Sequence, residues 1–432
     1  MISKELIERL FTEFGTDDIN QLSIREVGKL VSMIEKESGE EFIHMEMGVP
    51  GLSASQIGID AEKEALERGV GAAYPNIEGI PVAKEEIARF AKLFMNLDTP
   101  PAHCIPTVGG MQGSFAALLA AARSNPDKPC TLFIDPGFPV QKSQLHLMGV
   151  PFKSFDIFQF RGDKLRAKLE EYLKQGDICS ICYSSPNNPS WICFTEEELQ
   201  VIGELATRYD VIVIEDLAYF GMDFRQNYGL PGESPYQPTV AHYTDNYILL
   251  LSASKIFSYA GQRIGMMIFS EQTYTRRYPN LKNYFTSDTL GHFIPYGVLY
   301  ATTAGTAHTA QYALAAMLRA ANDGRVNFVE NLHLYGQKAR LMKEAFLKHG
   351  FYIVYNDDTR ELADGFYFTI AYPGLTSGQL MNKFLHYGIS AISLAITGSD
   401  NPNGLRACVS FVRLDQIPVL NERLTRFVQD MK

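Results

Sequence analysis

The segment Ser252-Ala253-Ser254-Lys255-Ile256-Phe257-Ser258-Tyr259-Ala260-Gly261-Gln262-Arg263-Ile264-Gly265 sets two hydroxyls, a lysine and an arginine directly after an apolar run at residues 247–251. A buried strand would deliver these groups to its carboxyl end. A lysine held near apolar surroundings loses part of its preference for the charged form, so the Lys255 amine is a candidate to form a Schiff base. The hydroxyls of Ser252 and Ser254 and the guanidinium of Arg263 are groups suited to holding a phosphate.

A Schiff-base lysine beside a phosphate cradle points to pyridoxal phosphate (PLP). That cofactor asks a protein for a lysine, an acid at the pyridine nitrogen, donors to the ring oxygen, a flat group over the ring and an anion site. Asp216 ends the apolar run 211–214, where an unpaired carboxylate is costly. It suits a protonated ring nitrogen, and it also suits a turn cap. Tyr219, three residues on, is either a donor to the ring oxygen or a core tyrosine. Asn188 lies in Pro186-Asn187-Asn188-Pro189-Ser190. Turn chemistry alone explains that composition, while the functional reading gives its amide to the ring oxygen. Asn188–Pro189 is a candidate cis bond.

Glycines in Thr107-Val108-Gly109-Gly110-Met111-Gln112-Gly113 precede a helix expected over 114–123, where exposed N–H groups can meet an anion. Phe138, after Asp135-Pro136-Gly137, is a ring-stacking candidate or an ordinary buried aromatic. Arg406, read as lying just before a strand at 407–411, could clamp a carboxylate with two parallel hydrogen bonds or face solvent.

The elements that must position these groups alternate. Apolar runs at 131–134, 178–183, 211–214 and 247–251 each end in a polar cluster, and helical segments lie between them. Ser23-x-x-Glu26 and Thr195-x-x-Glu198 are capping boxes. This is the pattern of an α/β fold with a mostly parallel central sheet and flanking helices, whose ligands bind beyond the strands' carboxyl ends. Residues 326–349 form a long helical pattern, and strand candidates at 352–355, 365–370 and 407–411 suggest a smaller α+β C-terminal domain. The expected division is an N-terminal helical arm at 1–45, a large cofactor domain at 46–318 and a small domain at 319–432.

Composition narrows the function. The 432 residues exceed one small core. The formal charge of −10 argues against nucleic-acid binding. Cys179 and Cys182 fall on opposite faces of a strand, so they read as buried core thiols. Residues 291–318 carry no Asp, Glu, Lys or Arg, yet their Thr, Gly and Ala make a poor membrane span, so they read as buried or as subunit interface. No metal-ligand spacing is visible among the nine histidines. Lys4, Glu5, Glu8 and Arg9 interrupt any leader pattern, and the expected location is cytoplasmic.

Taken together, the chain resembles the fold-type I PLP enzymes, specifically the class I/II aminotransferases of the aspartate aminotransferase superfamily. Ser-x-Ser-Lys followed by Gly-x-Arg-x-Gly appears as Ser252, Ser254, Lys255, Gly261, Arg263 and Gly265. Asn-Pro-[Thr/Ser] is Asn188-Pro189-Ser190, and the strand-end Asp with Tyr three on is Asp216 and Tyr219. Tyr-x-x-x-x-Gly-x-Pro is Tyr74, Gly79 and Pro81; the early Gly-x-Pro is Gly48-Val49-Pro50; the late arginine is Arg406.

The resemblance implies the PLP-dependent transferase fold and a homodimer with shared active sites. It implies that Lys255 forms an internal aldimine and then shuttles the proton at the substrate α-carbon. Asp216 would pair with the pyridine nitrogen, Asn188 and Tyr219 with the ring oxygen, and Phe138 would stack. Gly110, Met111, Ser252, Ser254 and Arg263 would hold the phosphate, and Tyr74 would reach the phosphate of the other subunit. Arg406 would bind the α-carboxylate of an amino acid or 2-oxoacid, with Asn188 and Gly48 in that pocket. The chain departs from the family at Trp191, its only tryptophan, where glycine is usual. Carbon–sulfur β-lyases and amino-acid decarboxylases use the same scaffold, and a PLP-binding regulator without catalysis is the reading from another class.

Overall fold

The computed structural model describes residues 1–357 and 359–431. Its strands run β1 (Ile43–His44), β2 (Cys104–Thr107), β3 (Cys130–Asp135), β4 (Phe152–Asp156), β5 (Ile178–Ser184), β6 (Ile212–Asp216), β7 (Tyr247–Ser252), β8 (Gly265–Phe269), β9 (Tyr352–Ile353), β10 (Tyr367–Ala371), β11 (Ile389–Ser390), β12 (Ile392–Ser393) and β13 (Leu405–Cys408). The chain divides into two compact units, residues 53–187 with 193–332, and residues 1–52 with 188–192 and 333–432. The sequence places its boundaries near 45 and 318, and it gives no sign that five residues at 188–192 group with the chain's two ends.

The larger unit is built on a seven-stranded sheet in the order β2-β8-β7-β6-β5-β3-β4. Only β8 runs antiparallel to its neighbours β2 and β7, so the sheet is mostly parallel, as expected. All its strands but the edge strand β4 are buried almost throughout, which is why β6, β7 and β8 read as apolar runs rather than alternating ones. The helix Gly109–Ser124 lies on this sheet through Ala116, Ala117, Ala120 and Ala121, all fully buried. Small side chains let the helix axis come close to the strands, and Phe133, Ile214, Ile248 and Leu250 fill the same core. Every parallel strand therefore ends on one edge, and that edge carries the polar clusters.

The smaller unit holds a four-stranded antiparallel sheet, β12-β13-β10-β9, and a two-stranded parallel pair of β1 with β11. This is the expected α+β architecture. Helices Lys4–Phe14 and Ile24–Ser38 belong to it, the second opened by the Ser23/Glu26 capping box. The long helix at Phe328–Lys348 is present.

Three local expectations change. The glycine-led helix starts at Gly109, five residues earlier than read, because its first turn packs against Arg263 and Ser252, a close approach that outweighs the propensity penalty on glycine. The strand read at 352–355 shortens to Tyr352–Ile353. Arg406 lies inside β13, not before it. The uncharged stretch 291–318 also splits: residues 310–318 of the helix His308–Asn322 are mostly buried, while Tyr296 and Tyr300 are 37% and 59% exposed. No helix among the described residues is long and apolar enough to cross a membrane.

Candidate functional site

In the larger unit, the adjacent parallel strands β6 and β7 end at Asp216 and Ser252. Ser252 caps the short helix Ala253–Ile256, its Oγ accepting from the Ser254 N–H at 3.2 Å. Lys255 sits on this one-turn helix, half-buried. The apolar run of β7 is thus converted within three residues into a turn bearing the amine and both hydroxyls.

Asp216 accepts from the Gln141 amide at 2.9 Å and from the Ala218 N–H at 3.0 Å. Both donors are neutral, and no ion pair answers this carboxylate among the described residues. Burial pushes its pKa up to about 6, against the pull of those two hydrogen bonds. A desolvated carboxylate with only neutral partners at an open strand end fits a protonated ring nitrogen. Tyr219, on the turn that follows, is buried. Its neighbour in β6, Glu215, points into the core, where Thr239 Oγ1, the Val240 N–H and the Tyr183 hydroxyl surround it. Burial holds Glu215 up at about 7, and its role is to tie β6 to the segment at 239–240.

The first turn of Gly109–Ser124 meets Arg263 and the end of β7. Gly109 has φ +66°, and a β-carbon there would stand 2.6 Å from Arg263 Nη2. A β-carbon at Gly265 would stand 2.8 Å from the Leu251 carbonyl oxygen and 2.9 Å from the Gly109 carbonyl carbon. Bare backbone is a steric requirement at Gly265, where the close atoms are main chain, while Gly109 is favoured by its left-handed φ. Arg263 itself adopts φ +52° and donates to the Ala260 carbonyl at 2.7 Å. Helix N–H groups at Gly110 and Met111, the Ser252 hydroxyl and the Arg263 guanidinium come together as a donor set that fits a phosphate, with Ser254 two residues on. Phe138 caps the helix Pro139–Leu147 and is half-buried. Tyr74 is 88% exposed and is not brought to this cluster within the chain.

In the smaller unit, Arg406 is 2% exposed at the centre of the antiparallel sheet, opposite Thr369 and Ile392. It donates from Nη1 to Asn188 Oδ1 at 3.2 Å and from Nη2 to the Glu46 carbonyl at 2.6 Å. Its guanidinium lies over the Tyr367 ring at 4.6 Å from the centroid, and its Nε is buried without a hydrogen-bond partner. No carboxylate of the described residues pairs with it. A buried guanidinium held by carbonyls and an aromatic face has the charge and free donor capacity that suit an anion.

Asn188 follows the expected pattern of a cis bond to Pro189. Gly48 is required because a β-carbon would stand 1.8 Å from the Tyr367 hydroxyl oxygen. Trp191, in the left-handed region at φ +62° and fully buried, packs edge-on to Tyr367, and Gly365 makes room for its indole. The Glu46 carboxylate is held by His44 and Ser390, and His44 also meets Glu35. Burial works against a charged His44, but the two carboxylates outweigh it and raise its pKa to about 9. The charged imidazole fixes the backbone whose carbonyl at Glu46 receives Arg406.

Sequence reasoning missed Gln141, Tyr367 and the Glu46 carbonyl. The signal for Gln141 is its place in the first turn of the helix that Phe138 caps. A carbonyl carries no residue-type signal at all.

The sequence model of the family "Aminotransferase class I and II" matches residues 44–409. The chain is 25% identical over 255 residues to a probable aspartate aminotransferase of Methanocaldococcus jannaschii, covering 59% of this chain and 62% of that protein. With an LL-diaminopimelate aminotransferase of Natranaerobius thermophilus it shares 25% identity over 323 residues, 72% and 78% of the two chains. Against the aspartate aminotransferases of M. jannaschii and Pyrococcus horikoshii the match spans about three-fifths of the relative's length, 62% and 60%. Among solved structures, an aspartate aminotransferase double mutant of Thermus thermophilus aligns with TM-score 0.76 at 17% identity, over 95% of this chain and 97% of that one. The aspartate aminotransferase of Thermotoga maritima aligns with TM-score 0.74 at 18% identity, over 98% and 99%. These likenesses establish the fold.

Proposed function

The chain belongs to the class I and II aminotransferase family, and from that premise we propose that it is a PLP-dependent aminotransferase moving an amino group between an L-amino acid and a 2-oxoacid through Lys255. The observation that carries this reading is Asp216, a half-buried carboxylate answered only by neutral donors, on the strand beside the one that delivers Lys255. The substrates named for the relatives differ, aspartate in one and LL-diaminopimelate in another, so amino-group transfer is what they support in common.

PLP, when bound, supplies an electron-poor ring that stabilises the charge left on the substrate α-carbon. Asp216 would pair with the ring nitrogen and keep the ring electron-poor. Tyr219 and Asn188 would donate to the ring oxygen, and Phe138 would lie over the ring. Gly110, Met111, Ser252, Ser254 and Arg263 would hold the phosphate. Lys255 Nζ would hold the aldehyde carbon and later take and return the proton at the substrate α-carbon. Arg406 would bind the α-carboxylate, Asn188 holding its guanidinium and Gly48 leaving room beside it. Tyr74 would reach the phosphate in the other subunit of a cytoplasmic homodimer.

A half-reaction screen tests the reading. Protein loaded with PLP is mixed with single amino acids, then with 2-oxoacids. Productive amino acids should bleach the visible band and an oxoacid should restore it, and Lys255→Ala should abolish both. Release of pyruvate and ammonia, or of carbon dioxide, from one amino acid without any oxoacid would replace the proposal with lyase or decarboxylase chemistry.

A further inference from the structure

The helix Pro139–Leu147 carries two buried glutamines, Gln141 and Gln144, three residues apart and therefore on one face. Gln141 Nε2 donates to Asp216 Oδ2 at 2.9 Å, and its Oε1 accepts from Cys182 Sγ at 3.7 Å. A carboxylate only accepts and a thiol can donate, so the amide has one satisfied orientation. Gln144 Nε2 donates to the Met111 carbonyl at 2.9 Å, and its Oε1 accepts from Ser114 Oγ at 2.9 Å. One glutamine therefore grips the acid at the end of β6, and the other grips the first turn of Gly109–Ser124. Burying two amides costs free energy that an apolar side chain of the same size would not. The two amide N–H bonds run to Asp216, at the end of β6, and to the Met111 carbonyl, in the first turn of Gly109–Ser124.

We propose that Gln141 and Gln144 are positioning residues. Gln141 aims and helps ionise Asp216 toward the ring nitrogen, Gln144 fixes the helix turn that meets the phosphate, and their shared helix sets the spacing between the two. The inference rests on the PLP reading above. The groups around Asp216 are the Gln141 amide, the Ala218 N–H and the Cys182 thiol, with the Asp135–Lys142 ion pair next beyond the thiol. Lys255 lies on the short helix that follows the adjoining strand β7. Gln141 cannot titrate, so it supports the Asp216 anion at every pH.

The test is binding of PLP and of unphosphorylated pyridoxal, followed by absorption across about pH 5 to 9, for the full-length protein and for Gln141→Met and Gln144→Met. Gln141→Met should weaken PLP about tenfold at neutral pH, the effect of losing one hydrogen bond to a charged group. It should also move the acid limb of binding to higher pH while leaving the preference for PLP over pyridoxal unchanged. Gln144→Met should cut that preference about tenfold and leave the acid limb in place. Gln141→Glu keeps the shape, sets a second carboxylate against Asp216 and should move the limb further the same way, which serves if a methionine variant does not fold. Unchanged binding in both variants, or both readouts moving alike in both, would overturn the assignment. Wild-type protein that takes up no PLP would instead overturn the functional reading on which it stands.

Discussion

Arg406 is a cation buried where nothing in the chain neutralises it. Two carbonyl oxygens and the face of Tyr367 hold it, and its Nε has no partner. Such a group is retained at a cost to stability, since apolar replacements of buried charges are often neutral or stabilising. Arg406→Met removes that cost but strips the Asn188 and Glu46 oxygens of this donor, so the two effects oppose and the melting temperature should stay near its wild-type value. The substitution should also lower kcat/KM by about two orders of magnitude, the loss of a charge-assisted pair worth about 3 kcal/mol. Calorimetry and steady-state kinetics on the same preparation check both halves.

Asp216 makes the complementary case for the anion. Its folded pKa of about 6 stands above the ordinary 3.8, so between those values the folded chain binds more protons than the unfolded one. Stability without cofactor should fall as pH rises through that window, by roughly 3 kcal/mol if this group acts alone. A cationic ring nitrogen would relieve that penalty. The gain in melting temperature on adding PLP should thus widen as pH rises past about 6, and Asp216→Asn should flatten the widening. Asp135 and Glu215 are also raised, but they contribute to loaded and unloaded protein alike and cancel in the difference.

At the scale of elements, the glycines at the helix start are structural demands rather than flexibility. Gly109→Ala meets Arg263 at 2.6 Å in a left-handed conformation, and should cost about 1–3 kcal/mol and weaken PLP. Gly261→Ala has open space within 4 Å and should change neither, as thermal melts and PLP titration can show. The strand ends were legible because parallel strands buried on both faces must be written in unbroken apolar runs, and polar groups appear where the burial stops. Lys255, Asp216, Ser252 and Arg263 could therefore be picked out by where such runs end. Arg406 was misplaced by the same rule, because a charged residue inside a buried strand interrupts the run that would mark it. The early helix start was hidden because Gly109 and Gly110 read as loop by propensity. Gln141 and Gln144 were hidden because their roles depend on which strand end their helix faces.

For the whole molecule, chain order concealed the grouping of 188–192 with both termini, since no composition change marks those five residues. Tyr74 is 88% exposed in one chain although the family pattern gives it a phosphate to reach. Sedimentation should show a homodimer, and Tyr74→Phe should weaken PLP several-fold without dissociating it; a monomer with full PLP affinity would refute the shared site. The central claim is that Lys255 is the covalent anchor. Protein mixed with PLP should develop a visible absorption band, and borohydride reduction followed by peptide mass spectrometry should find the pyridoxyl group on Lys255 alone. No band, or a reduced adduct on a different lysine, would contradict the account.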